Sequence, residues 1–249
     1  MDPKTPAEIE LMRSCGKKLA SILDRLASQV KPGITPKEIA SFAAKLTKES
    51  GLNPVLLGYQ GYSDVMCVSV NDQIVHGIPG NVPFKDGDIV KLDLTLAEKG
   101  MITDAAVTVV AGNPKLTADT ARLIEGTKKA LNAAIGVIKG DGTRVGDISA
   151  AAQEVLDRYG LGIVRDLVGH GVGHSVHEKP NVPNYGARGT GPVLHAGDTI
   201  AIEPMASLGD YHIKVGKDGW TVSMADGSLS AHFEHTVLIT DDGAEILTA

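Results

Sequence analysis

Length, composition and charge narrow the class of protein before any motif is considered. The chain has 249 residues, of which 43% are hydrophobic and 4% aromatic, and its mean hydropathy is +0.02. These values exclude a disordered or fibrous chain and predict an aliphatic core in one large globular domain or two small ones. A formal net charge of -6 and the lack of a nucleic-acid motif disfavour nucleic acid or an anionic membrane as the main partner.

Cysteine usage and the N-terminal sequence indicate the compartment. The two cysteines, Cys15 and Cys67, cannot build a disulfide framework or a four-thiolate zinc site, and they fit a reducing compartment. No basic segment followed by an apolar one opens the chain, and no apolar run approaches the roughly 18 residues of a membrane span. We therefore expect a cytoplasmic protein without a membrane partner.

Two start signals of the same kind predict the first two helices. Thr5 and Thr35 each offer an N-cap hydroxyl, with proline next and glutamate three residues after the cap. We expect a helix of about 25 residues from Thr5 and a second helix from Thr35 to the stop signal at Gly51. Two more helices are predicted over Thr117–Ile138 and Val145–Tyr159. The order of a long helix and then a shorter one therefore recurs.

This recurrence extends to the residues themselves. Residues 33–52 align without a gap on residues 142–161, at an offset of 109, and five residues coincide. At an offset of 110, residues 87–93 align on 197–203, so that a turn, a buried strand and a final carboxylate recur. We infer two related α+β halves around one site. They would cover approximately residues 1–110 and 111–249 of a single domain, residues 1–249, with an internal duplication.

Two aspartates lie on neighbouring predicted strands. Asp93 lies in a predicted strand over residues 89–96, and Asp104 opens the next one, over residues 105–110. If the turn is centred between residues 98 and 99, the aspartates face each other with Cβ atoms about 4.5–5.5 Å apart. Two like charges at that distance are destabilising unless a proton or a cation is shared, so a divalent metal is predicted. The alternative is that one aspartate caps a turn or faces solvent.

The second half supplies two further acids, Glu203 and Glu234, each of which interrupts an apolar strand. A buried unpaired carboxylate costs several kcal/mol, so acids on core strands normally bind something or stay neutral. Each acid alone is compatible with an edge strand. Four acids at strand ends from both halves predict a site for one or two divalent metals.

A glycine-rich loop in the second half contains three histidines, His170, His174 and His177. Glycine permits close approach of the backbone and unusual φ angles, so a metal-binding or catalytic histidine is a fair hypothesis. Spacing does not decide which histidine has which role, and a hydrogen-bonded surface imidazole is the alternative for each of them.

Several segments together resemble the type I methionine aminopeptidases, the short bacterial form of the pita-bread metallopeptidases. These segments are Asn71–Pro79, Lys91–Thr95, Thr103–Thr108, Gly169–Gly173, His177–Glu178, Ile202–Met205 and Phe233–Thr236. Their order and spacing are very specific, and the resemblance covers nearly the whole chain. It implies an α+β pita-bread fold, in which helices of two pseudo-symmetric halves pack on a central antiparallel β-sheet.

The resemblance also implies a dinuclear metal centre. Its five ligands would be Asp93, Asp104, His170, Glu203 and Glu234, with Asp104 and Glu234 bridging two divalent ions. Such ligands suit Co²⁺, Mn²⁺, Fe²⁺ or Zn²⁺, and the sequence does not choose among them. Water activated by the metals would attack the first peptide bond, and Glu203 would relay its proton. His177 would stabilise the tetrahedral intermediate, while His76 would act on the scissile amide and leaving amine from the other side.

A methionine pocket follows from the same resemblance. Its walls would be Tyr59, Tyr62, Cys67 and Trp220, and both His76 and His177 would contact the substrate. Val176 departs from the family, which usually has an aromatic residue just before the catalytic histidine. This departure leaves the width of the pocket open.

The implied activity is removal of the initiator methionine from nascent proteins with a small second residue. The partners would be the N-terminal methionine of peptides and nascent chains; association with the ribosome stays open, and we expect a monomer. One alternative is a pita-bread peptidase of the Xaa-Pro aminopeptidase or prolidase type, which usually carries an extra N-terminal domain. A second alternative is a non-catalytic binding module on the same fold, against which the intact ligand positions argue.

Overall fold

The computed structural model describes residues 3–249. Its helices are α1 (Pro6–Ala27), α2 (Pro36–Glu49), α3 (Ala118–Gly136) and α4 (Val145–Arg158), with a short 3₁₀ turn at Tyr59–Gly61. Its strands are β1 (Asn53–Pro54), β2 (Cys67–Val70), β3 (Gln73–Val75), β4 (Ile89–Glu98), β5 (Met101–Val110), β6 (Gly162–Ile163), β7 (Gly169–Gly171), β8 (Glu178–Val182), β9 (Thr199–Ile202), β10 (Met205–Ser207), β11 (Ile213–Val215), β12 (Val222–Met224), β13 (Ser230–His232), β14 (Glu234–Ile239) and β15 (Ala244–Ile246). Within residues 3–249 no helix combines the length and apolar character that a membrane crossing requires.

The four predicted helices form, and both predicted capping boxes are present. At the start of α1, the Glu8 N–H donates to Thr5 Oγ1, and the Glu8 carboxylate accepts the Thr5 N–H. Thr35 and Glu38 repeat the arrangement at the start of α2. Each box satisfies backbone donors that a helix N-terminus leaves free. Helix α1 has 22 residues and is slightly shorter than predicted.

A nine-stranded sheet joins the N-terminal and C-terminal strands of the chain. Its order is β1-β4-β5-β14-β9-β7-β8, with β2 paired to β4 and β15 paired to β14. All of these pairs are antiparallel. Two three-stranded sheets, β13-β10-β6 and β11-β12-β3, involve the remaining strands. The β5–β14 contact therefore lies where the early strands meet the late ones.

The helices bury apolar faces against this sheet in two clusters. One cluster joins α1 and α2 to β4 and includes Leu19, Leu46 and Leu92. The other joins α3 and α4 to later strands and includes Leu131 and Leu156. Helix α4 starts and ends 109 positions after α2, and β9 begins 110 positions after β4. These bounds match the predicted repeat, while the division of one domain near residue 110 stays a prediction.

The turn of the β4–β5 hairpin lies one residue later than predicted. Glu98 pairs with Met101, so the turn residues are Lys99 and Gly100. Both have positive φ, 50° and 89°, as a two-residue type I′ turn requires. The right-handed twist of the strands favours this turn type, and glycine adopts its second position without steric cost.

This register changes how the two aspartates face each other. Asp93 pairs with Ala106, and Asp104 pairs with Thr95. The predicted direct pairing of Asp93 with Asp104 is therefore wrong. Because the two partners differ by an even number of positions, both carboxylates still lie on the same face of the sheet as diagonal neighbours.

Candidate metal centre and adjoining pocket

Neighbouring strands bring four carboxylates to one region of the central sheet. Asp93, Ala106 and Glu234 form a cross-strand row through β4, β5 and β14. Glu203 directly follows the last residue of β9, beside the start of β14. Asp104 lies two positions from Ala106 on the same face of β5. Residues that are far apart in the chain thus meet at the centre of the sheet.

These carboxylates are withdrawn from solvent. Asp104 is 5% exposed and Glu234 is 2% exposed. Burial raises the pKa of Asp104 to about 7. It also raises the pKa of Asp93, Glu203 and Glu234 above the ordinary carboxyl range, and the charge of Asp104 adds to each shift. Four acids in this environment need protons or cations to neutralise them.

Two glycines let strand β7, which carries His170, lie close to the strands on either side of it. A Cβ atom on Gly169 would collide with the carbonyl oxygen of Ala201 in β9. A Cβ atom on Gly171 would collide with the carbonyl oxygen of Lys179 in β8. Glycine on both sides of His170 therefore lets β7 fit between its neighbours.

The imidazole of His170 is oriented by its own strand. Its Nδ1 lies 2.9 Å from the carbonyl oxygen of Gly171, to which an Nδ1–H donates. Its Nε2 lies 3.5 Å from Glu203 Oε1. Burial, with a smaller contribution from His177, lowers the pKa of His170 to about 4. A neutral imidazole with its Nε2 lone pair toward the acids is a suitable metal ligand.

The donor set fits a divalent metal. Asp104, His170 and Glu234 are all buried, and each offers one ligand atom within 4.8 Å of the others. Asp93 and Glu203 line the same cavity of about 100 Å³, so all five predicted ligand residues surround it. Carboxylate oxygens with one neutral imidazole suit a first-row transition-metal ion. An ion would also compensate the buried negative charge.

A second cavity of about 310 Å³ adjoins the first, and Asp93, Asp104, His76 and His177 line both. The four predicted pocket residues, Tyr59, Tyr62, Cys67 and Trp220, line the larger cavity, together with Val176. Sequence analysis assigned no role to the further lining residues, which are Leu56, Gln60 and Thr95 here and Val75, Leu167, Val168 and Met205 in the smaller cavity. Most of these are ordinary apolar residues that carry no distinguishing pattern.

The part of the larger cavity formed by Tyr62, Cys67 and Trp220 is uncharged and held in place. The hydroxyl of Tyr62 lies 3.2 Å from the carbonyl oxygen of Met66 and 3.0 Å from that of Gly77. The Tyr62 and Trp220 rings meet edge-on, with centroids 5.0 Å apart. Burial raises the pKa of both the Tyr62 phenol and the Cys67 thiol, so each stays protonated. Sulfur and aromatic edges suit an apolar or thioether side chain.

His76 and His177 approach the two cavities from different segments. His76 follows β3 and has φ of 58°. His177 precedes β8; its Nδ1 lies 3.2 Å from the Tyr59 hydroxyl, and its ring meets that of His170 with centroids 4.5 Å apart. Burial lowers the pKa of His76, and partial desolvation lowers that of the more exposed His177. Neutral imidazoles can both donate and accept hydrogen bonds.

Sequence reasoning missed one histidine beside the acids. His232 is 1% exposed, and its Nε2 lies 3.5 Å from Glu203 Oε2. A signal was available, because His232 lies two positions before Glu234 in a strand-like run and alternation places both on one face.

A larger groove of about 680 Å³ lies elsewhere and is lined by prolines together with His195 and Asp198. Both of these side chains already have partners: Asp198 accepts the His195 N–H, and His195 Nδ1 lies 3.0 Å from Asp141. The donors that could hold a metal ion cluster at the smaller cavities instead.

Comparison with known proteins agrees with this geometry. Residues 10–241 match the model of metallopeptidase family M24. The chain is 44% identical over 245 residues to a methionine aminopeptidase of Clostridium perfringens, covering 98% of this chain and 97% of that relative. The crystal structure of a methionine aminopeptidase from Thermotoga maritima superposes with a TM-score of 0.96 at 44% identity, covering 100% of this chain and 99% of that one.

A more distant structure shares the fold alone. Prolidase from Pyrococcus furiosus superposes with a TM-score of 0.76 at 23% identity, over 99% of this chain and 65% of that one. The α+β fold with its central antiparallel sheet is therefore the pita-bread fold, as predicted. With the family model and full-length relatives in agreement, the chain belongs to metallopeptidase family M24.

Proposed function

We propose that this chain is a methionine aminopeptidase, a metal-dependent hydrolase that removes the initiator methionine from proteins with a small second residue. One observation carries the proposal: the buried donor set adjoins a cavity of about 310 Å³ whose wall away from the acids is formed by sulfur and aromatic side chains. The names of the full-length relatives support the same activity.

The metal would be held by Asp93, Asp104, His170, Glu203 and Glu234, with Asp104 and Glu234 shared between two divalent ions. Bound divalent ions supply Lewis acidity, which polarises a peptide carbonyl and lowers the pKa of water. Asp104, Glu234 and His170 offer ligand atoms within 4.8 Å of one another, which supports a common metal site for them. Titration of the metal-free protein with Co²⁺, Mn²⁺, Fe²⁺ and Zn²⁺ distinguishes these ions.

Three side chains would handle the substrate and its protons. Glu203 accepts the proton of the attacking water and passes it to the leaving amine. His177 donates a hydrogen bond to the carbonyl oxygen as negative charge develops there. His76, at the junction of the two cavities, hydrogen-bonds the scissile amide and the leaving amine.

Specificity would arise from the larger cavity. Tyr62, Cys67 and Trp220 present an uncharged wall to the first side chain, with Tyr59 and Val176 completing it. A thioether enters such a wall without leaving a polar group unpaired, whereas a charged side chain would lose its hydration. Methionine is therefore favoured over charged residues at the first position.

The same proposal includes the compartment, the oligomeric state and the partners of the protein. A protein that processes new chains would act in the cytoplasm as a monomer, on the N-terminal methionine of peptides and nascent chains. Contact with the ribosome would bring it to emerging N-termini. Size-exclusion chromatography and co-sedimentation with ribosomes measure these two properties.

Peptide hydrolysis tests the activity directly. Chelator-stripped protein is titrated with Mn²⁺, Co²⁺, Fe²⁺ and Zn²⁺, and release of the first residue from Met-Ala-Ser is measured beside Leu-Ala-Ser and Xaa-Pro peptides. We expect metal-restored release of methionine from Met-Ala-Ser. Asp104→Ala should lose activity and metal, while His195→Ala, in the separate groove, should match the wild type.

Two results would contradict the proposal. Cleavage before proline irrespective of the first residue would assign the Xaa-Pro activity instead. Failure of every metal to restore cleavage of any peptide, in a folded protein, would favour a non-catalytic binding module.

A further inference from the structure

The His232 imidazole has an unusual environment. The residue is 1% exposed, and within the described part of the chain neither of its ring nitrogens has a hydrogen-bond partner. Buried polar groups are nearly always paired, because an unpaired one loses its hydrogen bonds to water without replacement. Another group of the protein should therefore serve as the hydrogen-bond partner of the His232 imidazole.

The nearest candidate is the Glu203 carboxylate, which lies between two imidazoles. Oε1 is 3.5 Å from Nε2 of His170, which belongs to the donor cluster. Oε2 is 3.5 Å from Nε2 of His232. One oxygen of Glu203 is thus directed to the cluster and the other to His232. A movement of a few tenths of an ångström would bring the second pair into the usual hydrogen-bond range of about 2.7–3.2 Å.

The backbone that carries His232 is held firmly. The Thr108 hydroxyl donates to the His232 carbonyl oxygen at 2.6 Å and accepts the His232 N–H at 2.9 Å. At the other end of β13, the buried ammonium of Lys91 donates to the Ser230 carbonyl oxygen at 3.2 Å. Lys91 and Thr108 are themselves cross-strand partners. Strand β13 is therefore fixed at both ends, and the imidazole is presented to Glu203 from a rigid support.

We propose that His232 is a positioning residue for Glu203: its Nε2–H donates to Oε2 and keeps Oε1 turned toward the metal cluster. The inference rests on the proposed function, in which Glu203 binds metal and relays a proton. Hydrogen-bond partners of metal ligands typically change metal affinity or activity by about 10–100-fold when they are removed.

Two substitutions separate a hydrogen bond from simple space filling. His232→Gln keeps a donor in the same direction, while His232→Leu keeps bulk and removes the donor. We expect His232→Leu to lower kcat about 10–100-fold with little change in KM for Met-Ala-Ser. We expect His232→Gln to stay within a few-fold of the wild type. Equal losses in both variants would overturn the proposal, as would wild-type kinetics in His232→Leu.

Metal binding gives a readout that does not depend on catalysis. Isothermal titration of chelator-stripped protein with Mn²⁺ should show about 10–100-fold weaker binding in His232→Leu at unchanged stoichiometry, with near-normal binding in His232→Gln. Loss of one bound metal equivalent would overturn the proposal, because His232 would then be a ligand. Unchanged affinity in His232→Leu would overturn it too.

The hydrogen bond can also be observed directly. In ¹⁵N-histidine-labelled wild-type protein, the resonance that His232→Gln removes should show a proton on Nε2. A proton on Nδ1 alone would exclude the proposed donor. If the wild type binds metal but cleaves no peptide, the proposed function fails, while the titration and the nitrogen spectrum still test the contact with Glu203.

Discussion

His177 combines exposure to solvent with contacts to both cavities. It reaches the Tyr59 hydroxyl on one side and packs edge-on against His170 on the other. It lies beside the donor cluster without being part of the set whose ligand atoms converge. A role toward substrate is therefore separable from metal binding by mutation.

We predict that His177→Ala retains metal but lowers kcat by roughly 10²–10³, the usual cost of losing one donor to a developing oxyanion. Steady-state kinetics and metal analysis of the purified variant measure both effects. Tyr59→Phe, which removes the partner hydroxyl and leaves the imidazole, serves as the control and should have a smaller effect. An unchanged kcat in His177→Ala would assign His177 another role.

Among individual residues, the sequence predicted much of the candidate site. Acids such as Asp93 and Glu203 stand out because they interrupt apolar strands, and the structure brings all five predicted ligand residues around one cavity. His232 and the apolar lining residues escaped notice. An isolated histidine or leucine in a strand has many ordinary explanations, and its importance depends on neighbours from other strands.

At the scale of elements, the segment before α1 crosses the loop that carries His177. The side chain of Lys4 is fully buried, and its Nζ lies 2.8 Å from Glu178 Oε2. The other oxygen of Glu178 accepts the N–H groups of His174 and Ser175, at 2.6 and 3.0 Å. Glu178 thus caps the turn from one side while Lys4 neutralises it from the other.

Lys4→Met should therefore loosen this turn. We expect the free energy of unfolding to fall by about 1–3 kcal/mol, because a largely buried carboxylate loses its charged partner. Urea denaturation measures the loss, and hydrogen exchange should rise in residues 173–178.

The matched control is Lys129→Met, which breaks an exposed pair with Glu125 and should cost less than about 1 kcal/mol. Equal stability of the two variants would show that the Lys4 contact does not hold the turn.

Elements were predictable where local chemistry specifies them. Capping residues gave the starts of the first two helices, and local sequence signals gave the second pair, from which the repeat was inferred. The hairpin turn was misplaced because Glu98-Lys99-Gly100 admits more than one centre, and the decision depends on Lys99 accepting positive φ. The twist of the folded strands decides where the turn is centred, and that twist depends on the whole sheet rather than on the turn residues alone.

At the scale of the whole molecule, the donor cluster spans the contact between early and late strands. Asp104 comes from β5, whereas His170 and Glu234 come from β7 and β14. Which strands become neighbours across β5–β14 could not be derived from the sequence, because many orders satisfy the same strand patterns. The fold resemblance provided the central antiparallel sheet instead.

This placement predicts how stability depends on pH. In the metal-free protein, folded Asp104 has a pKa of about 7, against an ordinary value of 3.8, because it is buried. Between these pH values the folded state keeps a proton that the unfolded state releases. The stabilisation that Asp104 contributes should therefore fall as pH rises from about 4 to 7, by a few kcal/mol, whereas buried histidines such as His170, whose pKa is lowered to about 4, contribute in the opposite direction. The other three acids shift in the same direction as Asp104.

Urea denaturation with a chelator at about pH 5 and about pH 7.5 measures this fall. Added Mn²⁺ should restore stability at the higher pH, since the cation compensates the ionised carboxylates. Asp104→Asn, which cannot ionise, should lack this contribution, so its stability relative to the wild type should rise between the two pH values. The same pH dependence in Asp104→Asn and the metal-free wild type would contradict the prediction.

The positive φ angle of His76 affects which residue natural selection would keep at this position. A φ of 58° is uncommon for a residue other than glycine, and asparagine tolerates it better than histidine does. We predict that His76→Asn loses activity but becomes up to about 1 kcal/mol more stable, whereas His195→Asn changes neither property. Thermal and urea unfolding measure the change in stability, and peptide hydrolysis measures the loss of activity. A clear loss of stability in His76→Asn would oppose it. Selection for stability alone would thus remove this histidine, and its retention would reflect selection for activity.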